Sequence, residues 1–363
     1  MLDLAAAAPS LTAALVDVES VSGDEGRLTD LVSDALSELP GLAVTRRDNV
    51  VIARTDLGRA QRVVLAGHLD TVPIAGNVPS RISDGLLYGC GSADMKSGVA
   101  VLLRIAHLVG SGAVDPRSDL TFVCYDCEEV EAARNGLGRL VAAGHGDDLR
   151  ADLAILLEPT DGVVEGGCQG TLRAQVRTVG VRAHSARSWL GANAIHAAAP
   201  VLARLCSYSP RTVDVEGLTY REGLNAVAIS GGVAGNVIPD ECTVTVNYRF
   251  APDRSEADAQ AHVRAVFDGF EVAVVDCAPA ARPGLDTPVA ASVVAATGQP
   301  ARAKLGWTDV ARFGALGVAA VNYGPGDPNL AHKPEEHVAI AKITECEQAL
   351  VRFLTRQPLG TAS

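Results

Sequence analysis

Three short runs with continuously apolar centres constrain the fold of this chain more than anything else in it. They are VVLA at 63–66, DLTFVCYD at 119–126 and ADLAILLE at 151–158. A strand with one face in water alternates apolar and polar residues. A continuously apolar run needs cover on both faces, which a sheet flanked by helices supplies. Helical spacing lies before and between the runs: over 11–38, with Ser22 and Asp24 as caps, over 97–110 and over 134–143. Further short strands are expected at 42–46 and 49–54. The pattern predicts an α/β fold with a mixed, mostly parallel sheet flanked by helices.

The rhythm changes after residue 170. TLRAQVRTVGVRAHS alternates apolar and polar residues, as a half-exposed strand does, and a helix over 192–207 follows. Alternating runs at 224–233 and 241–250, a helix over 255–267 and a strand over 270–276 complete an α+β domain: an antiparallel sheet with two helices. From about 286 the α/β rhythm resumes, with a helix over 287–297, a strand in GVAAVNY and a final helix over 338–355. With 363 residues, too many for one ordinary core, the expected organisation is a first catalytic part at 1–170, an inserted domain at 171–280 and a second catalytic part at 281–363.

The chemistry-bearing residues gather at the strand ends. His68 and Asp70 stand two apart in GHLDTVP and project to one side if the strand continues; alone, the pair could equally be a polar turn. Asp94 follows in YGCGSADMKSG, Glu128 and Glu129 in CYDCEEVEA, Glu158 in LLEPT and His332 in NLAHKPEE. Ligands of open α/β sheets sit in the crevice at the carboxyl ends of the strands. A carboxylate-rich set with two histidines and no cysteine suits a pair of divalent metals, zinc foremost.

GHLDTVP, GCGSADMKSG, CEE, LLEPT and LAHKPEEHV, in this order and spacing, resemble the motifs of the di-zinc aminoacylase/carboxypeptidase family of metallohydrolases. The likeness extends to GGVAGNVIPDECTVTVNYRF in the inserted segment, which is similar to that family's lid domain. The resemblance implies two Zn2+ ions, with Co2+ able to substitute at one site. It implies that His68, Asp94 and Glu158 hold one ion and Asp94, Glu129 and His332 the other, Asp94 bridging. Asp70 would orient His68, Glu128 would be the general base, and His184, in the lid, would help stabilise the tetrahedral intermediate. Taken alone, His184 reads as a surface histidine. The family also implies a homodimer formed through the lid. No role is assigned to His107, His145, His196, His262 or His337.

For the substrate, a small acylated amino acid, the signals are finer. GWTDVARF, with Thr308, resembles a segment of the succinyl-diaminopimelate desuccinylases within that family, and Asn225 and Asn236 match lid asparagines. Arg249 in NYRF stands where such enzymes hold a substrate carboxylate, although by itself it also reads as an exposed strand arginine. GGCQGTLR departs from the pattern by carrying Gln169 where an arginine or lysine is usual, with Arg187 or Arg173 as candidate replacements. Acetylornithine deacetylation, hydrolysis of other acylated amino acids or dipeptides, and a catalytically silent metal-binding protein are the alternatives.

The remaining bulk features exclude rather than identify. A net charge of −12 and a pI near 5.1 argue against a nucleic-acid partner. The N-terminal stretch lacks the basic region of a signal peptide, and GVAVLLRIAHLVG is interrupted by charge and too short to span a bilayer, so no membrane association is expected. Eight scattered cysteines make no disulfide framework, and the C-x-x-C of Cys124 and Cys127 ends a strand rather than opening a helix. A reducing cytoplasm is the expected location.

Overall fold

A computed structural model describes residues 2–355. The chain divides into two compact units: Met1–Gly166 with Gly284–Arg302 and Asp309–Ser363, and Gly167–Pro283 with Ala303–Thr308. In the first unit the apolar runs form the centre of an eight-stranded sheet. Asp119–Tyr125, Arg62–His68, Leu153–Leu156 and Ala320–Asn322 lie side by side in that order and run parallel. Antiparallel strands flank them, Val50–Arg54 beside Asp119–Tyr125 and Glu165–Gly166 beside Ala320–Asn322. The sheet is therefore mixed, with a parallel middle. Every residue of Asp119–Tyr125 and of Leu153–Leu156 is buried, as continuous apolar runs require.

The helix Lys96–Gly110 packs so closely on the sheet that a Cβ at Gly98 would overlap the Leu157 carbonyl oxygen. Only glycine permits that approach, and it brings the residues just before the helix against the strand ends.

The helical spacing over 11–38 resolves into two helices, Ala8–Val16 and Gly26–Ser37. Between them Thr71 N–H donates to the Ser20 carbonyl (2.9 Å) and Ser22 N–H to the Thr71 carbonyl (3.0 Å), a strand-like pairing that displaces the helix. Ser22 and Asp24 are consequently not the caps. The N-cap position falls at Glu25, without a side-chain cap bond, and the Ser22 hydroxyl donates instead to Asp70. The sequence pattern also missed two hairpins, Arg81–Ser83 with Leu86–Tyr88 and Thr212–Val215 with Leu218–Arg221. Their turns, Asp84-Gly85 and Glu216-Gly217, have positive φ at both residues, the geometry that suits two-residue hairpin loops.

The second unit is a four-stranded antiparallel sheet in the order Gly223–Gly231, Glu241–Phe250, Gly170–Val179, Glu271–Ala278. Leu172, Ala174, Val176, Val244, Val246 and Tyr248 form its covered face, packed with the helices Ala194–Ala197, Ala199–Cys206 and Glu256–Val266. The first two were expected as one helix. Pro200, which has no N–H to give to a preceding turn, opens the second.

A buried carboxylate ties this unit together. Glu222 is 3% exposed and accepts from Arg211 (2.8 Å), the Tyr248 hydroxyl (2.9 Å) and Ala251 N–H (3.1 Å). Burial alone would raise its pKa, but Arg211, Ala251 and Tyr248 outweigh burial and hold it below the usual range. A folded-state pKa below the unfolded one stabilises above the unfolded value, and the contribution is lost as pH falls through the folded value. Glu222→Gln is expected to cost about 1–3 kcal/mol at neutral pH, since a buried amide cannot accept from Arg211, the Tyr248 hydroxyl and Ala251 N–H with both of its ends, although Arg211 keeps its pairing with Asp253. Denaturant titrations at neutral and acidic pH should show the penalty shrinking on acidification. A penalty independent of pH would mean that the charge of Glu222 contributes nothing.

Candidate active site

Three adjacent parallel strands deliver side chains to one edge of the first unit's sheet. Arg62–His68 ends in His68, Asp119–Tyr125 leads into 126–129, and Leu153–Leu156 leads to Glu158. Asp94 arrives from the Gly-rich loop before the helix Lys96–Gly110, and His332 from the segment after Ala320–Asn322. One donor atom each from His68, Asp94 and Glu158 lies within 4.8 Å of the others, and the same holds for Asp94, Glu129 and His332. The two trios share Asp94, whose Oδ1 is 3.2 Å from His68 Nε2 and whose Oδ2 is 3.5 Å from His332 Nε2. His332 Nε2 also lies 2.7 Å from Glu129 Oε1. A third trio, His68, Glu128 and Glu129, shows that both carboxylates of the doublet come to the site.

Asp70 makes this convergence possible. The strand stops at His68, so Asp70 does not continue its alternation. The closer contact of His68 Nδ1 is with the main-chain carbonyl of Asp70 (3.0 Å), and the Asp70 carboxylate stands at 3.4 Å. That carboxylate accepts the N–H of Glu128 on one oxygen and of Glu129 on the other, both at 3.0 Å, and the Ser22 hydroxyl at 2.7 Å. Cys127, just upstream, has φ +56, and its N–H donates to buried Glu25 (3.2 Å). The chain therefore turns sharply before the doublet, with three consecutive N–H groups held by two carboxylates. Glu25 was not anticipated, because nothing local to it in the sequence refers to residue 127.

The electrostatics follow from five carboxylates and two imidazoles. Burial opposes charging of His68, but its hydrogen bonds to Asp70 and Asp94 raise its pKa well above the ordinary value. Burial likewise works against ionised Asp70, yet His68 and the two backbone donors bring it down to about 2. Hydrogen bonds to Asp94 and Glu129 raise His332 to about 10. Burial, then Glu158, pushes Glu128 well above the carboxylate range. A cluster with this excess of negative charge fits divalent cations, whose charge would relieve it. Carboxylate and imidazole donors without thiolate are the ligand types that such ions take.

The remaining predicted residues belong to the second unit. His184 is exposed, pairs with Val237 at a short bridge, and its Nδ1 accepts from Ala186 N–H (3.1 Å). Arg187 is exposed, and Arg173 is paired with Asp276 at 3.3 Å. Arg249 is only partly exposed, and its Nε donates to Asn247 Oδ1 (3.2 Å). Asn225 is exposed on the strand Gly223–Gly231, opposite Asn247. Thr308 is buried, and its carbonyl accepts from the Cys168 thiol. Gln169 is buried, with its amide donating to the Arg221 carbonyl at 2.7 Å, so the side chain that replaces the expected basic residue has a structural partner.

A mixed α/β sheet with a carboxylate–histidine cluster at its strand ends defines a class of metal-dependent hydrolases. The model of Peptidase family M20/M25/M40 matches residues 64–356, and the chain belongs to that family. It is a metal-dependent hydrolase acting on amide bonds. A Mycobacterium tuberculosis protein provisionally named succinyl-diaminopimelate desuccinylase DapE is 56% identical over 357 residues, covering 98% of this chain and 99% of that one. The Corynebacterium glutamicum protein named succinyl-diaminopimelate desuccinylase is 48% identical, covering 98% of each chain. A tripeptidase from Staphylococcus aureus shares the fold, with a TM-score of 0.79 at 20% identity and 96% of each chain covered. Among the described residues, no helix is long and apolar enough to cross a membrane.

All eight cysteines are free thiols. Burial raises Cys124 to about 12. Burial and the neighbouring Glu25 carboxylate raise Cys127 to about 12, and its thiol donates to Glu25. Such thiols are almost wholly protonated at neutral pH and are poor nucleophiles. Iodoacetamide applied to the native protein at neutral pH should label exposed Cys206 and spare Cys124 and Cys127, as read by peptide mass mapping. Labelling of Cys127 would show that the turn before the doublet opens to solvent, and labelling of Cys124 that the central strand does.

Proposed function

We propose that the chain hydrolyses the amide of N-succinyl-L,L-2,6-diaminopimelate, giving succinate and L,L-diaminopimelate for lysine and cell-wall synthesis in the cytoplasm. The observation that carries the reaction class is the pair of donor trios sharing Asp94, with Glu128 beside them. The substrate rests on the full-length relatives at 56% and 48% identity that bear the desuccinylase name.

In this reading His68, Asp94 and Glu158 would hold one Zn2+ and Asp94, Glu129 and His332 a second, with Co2+ able to replace one of them. Divalent ions at these positions supply the charge that polarises a scissile carbonyl and acidifies a water molecule. Glu128 takes a proton from the attacking water on its carboxylate and returns it to the departing amine nitrogen. Asp70 keeps Glu128 and Glu129 at a fixed turn through their backbone N–H groups and borders His68. On the second unit, Arg249, Asn225, Thr308 and Arg187 are the candidates for binding substrate and His184 for steadying the tetrahedral centre; these assignments rest on the family resemblance.

The reading includes a homodimer formed through the second unit. Gly223–Gly231 is an edge strand, exposed from Asn225 onward, and Val227 and Ile229 are 59% and 53% exposed. A long, apolar edge of this kind favours pairing with another chain.

Two experiments test these proposals. Purified, zinc-loaded protein should release amine from N-succinyl-L,L-diaminopimelate in strong preference to N-acetylornithine, and Glu128→Gln should lower kcat roughly 10²–10⁴-fold. Preference for the acetyl substrate would move the assignment to a deacetylase, and an unaffected Glu128→Gln would remove Glu128 from the chemistry. In sedimentation velocity the wild type should run as a dimer and Ile229→Lys as a monomer. A wild-type monomer would end the dimer proposal.

A further inference from the structure

We infer that Glu336 is a positioning residue for Asp94: its buried carboxylate sets the loop that presents the carboxylate shared by the two donor trios. The inference rests on the reading that Asp94 is a metal ligand.

Glu336 is 2% exposed, although it follows the exposed segment 332–335. Both of its carboxylate oxygens are turned into the Gly-rich loop. Oε2 accepts Gly91 N–H at 3.0 Å, while Oε1 accepts Ala93 N–H at 2.8 Å and Asp94 N–H at 3.0 Å. Its main-chain carbonyl accepts Gly89 N–H at 3.0 Å. Four donors of one six-residue stretch, 89–94, therefore end on a single residue. Gly91, at φ +79, helps turn successive N–H groups inward, the concave arrangement that suits an anion. Here the anion is a side chain of the protein itself.

The attachment joins two parts of the site. His332, which shares a trio with Asp94, lies four residues before Glu336, and the strand His337–Ala339 begins directly after it. That strand pairs with Leu86–Tyr88, His337 opposite Tyr88, so the two segments are zipped together up to the loop. The carboxylate continues the zipper where strand pairing stops. Asp94, whose two oxygens face His68 and His332, is held at its own N–H.

A buried carboxylate with no other task could be replaced by an amide at little functional cost. Glu336 cannot, because both oxygens accept. The –NH2 of a glutamine must face either Gly91 N–H or the Ala93 and Asp94 N–H pair, donor against donor, in a place water does not reach. The side chain keeps its size, so the disturbance is confined to the loop.

Apo protein titrated with Zn2+ against a chromogenic chelator, and the visible spectrum of the Co2+-loaded protein, give readouts independent of turnover. Glu336→Gln should weaken binding of at least one ion roughly 10–100-fold, the range seen when groups that orient metal ligands are changed, and should alter the Co2+ spectrum. Glu335→Gln, an exposed neighbour, should match the wild type in both. If Glu336→Gln fails to fold, Glu336→Asp, which keeps the charge but withdraws it by one methylene, carries the same test with a smaller loss expected. A folded variant of Glu336 that is less stable yet binds both ions and colours Co2+ like the wild type would overturn the inference and leave Glu336 a purely structural residue. Asp94→Asn separates the premise from the inference. If it leaves metal binding unchanged, the metal reading of Asp94 has failed; if it weakens binding while Glu336→Gln does not, only the role of Glu336 has failed.

Discussion

Backbone N–H groups captured by buried carboxylates hold the first unit's site together. Loops at the carboxyl ends of parallel strands leave main-chain donors without a ladder partner, and a buried donor without an acceptor is costly. Here Asp70 takes the N–H groups of Glu128 and Glu129, Glu25 those of Gly23 and Cys127, and Glu336 those of Gly91, Ala93 and Asp94. The exchange stabilises both sides. Each loop has its donors satisfied, and each carboxylate gains the hydrogen bonds without which burial of its charge would be prohibitive. Acceptors from distant parts of the sequence thereby fix where the potential ligands point.

The same arrangement explains why the site can hold so much negative charge. Burial raises Glu336 despite its three backbone donors, whereas Asp70 faces His68 as well as backbone N–H groups. Asp70 remains ionised down to about 2 for that reason. Among the carboxylates that project into the cluster, His332 and His68 hold Asp94 below the usual range against burial, while burial and Glu158 raise Glu128 well above it. Asp70 and Asp94, each hydrogen-bonded to an imidazole, are thus held ionised, whereas burial pushes Glu128 and Glu336 toward the protonated form. A cation would meet a cluster already oriented and in electrostatic need of it.

The sequence exposed the parts of this design that are local. Continuous apolar runs marked the parallel strands because both faces are buried, and Glu241–Phe250 was found at its bounds because one face of the sheet is open and alternation is strict. Most residues of the donor cluster were visible because they end such a run or sit in a glycine-rich turn. What was hidden depends on partners far away in the chain. Ser22 looked like a helix cap until its hydroxyl was found on Asp70, 48 residues on. Nothing local marks Glu25 or Glu336 for its role, because the donors they satisfy lie up to 102 and 245 residues away. Gln169 stood out as a missing basic residue, whereas its amide has a structural task at Arg221.

This division between local and distant has a consequence for how such a site tolerates change. An apolar core accepts many side chains of similar volume, since its attraction is non-directional. An acceptor that serves two or three backbone donors admits almost no substitute. Glutamine reverses one hydrogen bond, aspartate withdraws from the loop, and an apolar residue leaves every donor stranded. Glu336 and Asp70 should therefore resist substitution as strongly as the cluster residues they support, although neither role requires contact with a metal ion or substrate. The constraint on them comes from the main chain, whose N–H groups are present whatever the side chains of the loop become. In the first unit, the positions of Asp94, Glu128 and Glu129 are thus properties of paired segments, Asp94 with Glu336 and the doublet with Asp70 and Glu25, rather than of the short motifs in which they are read.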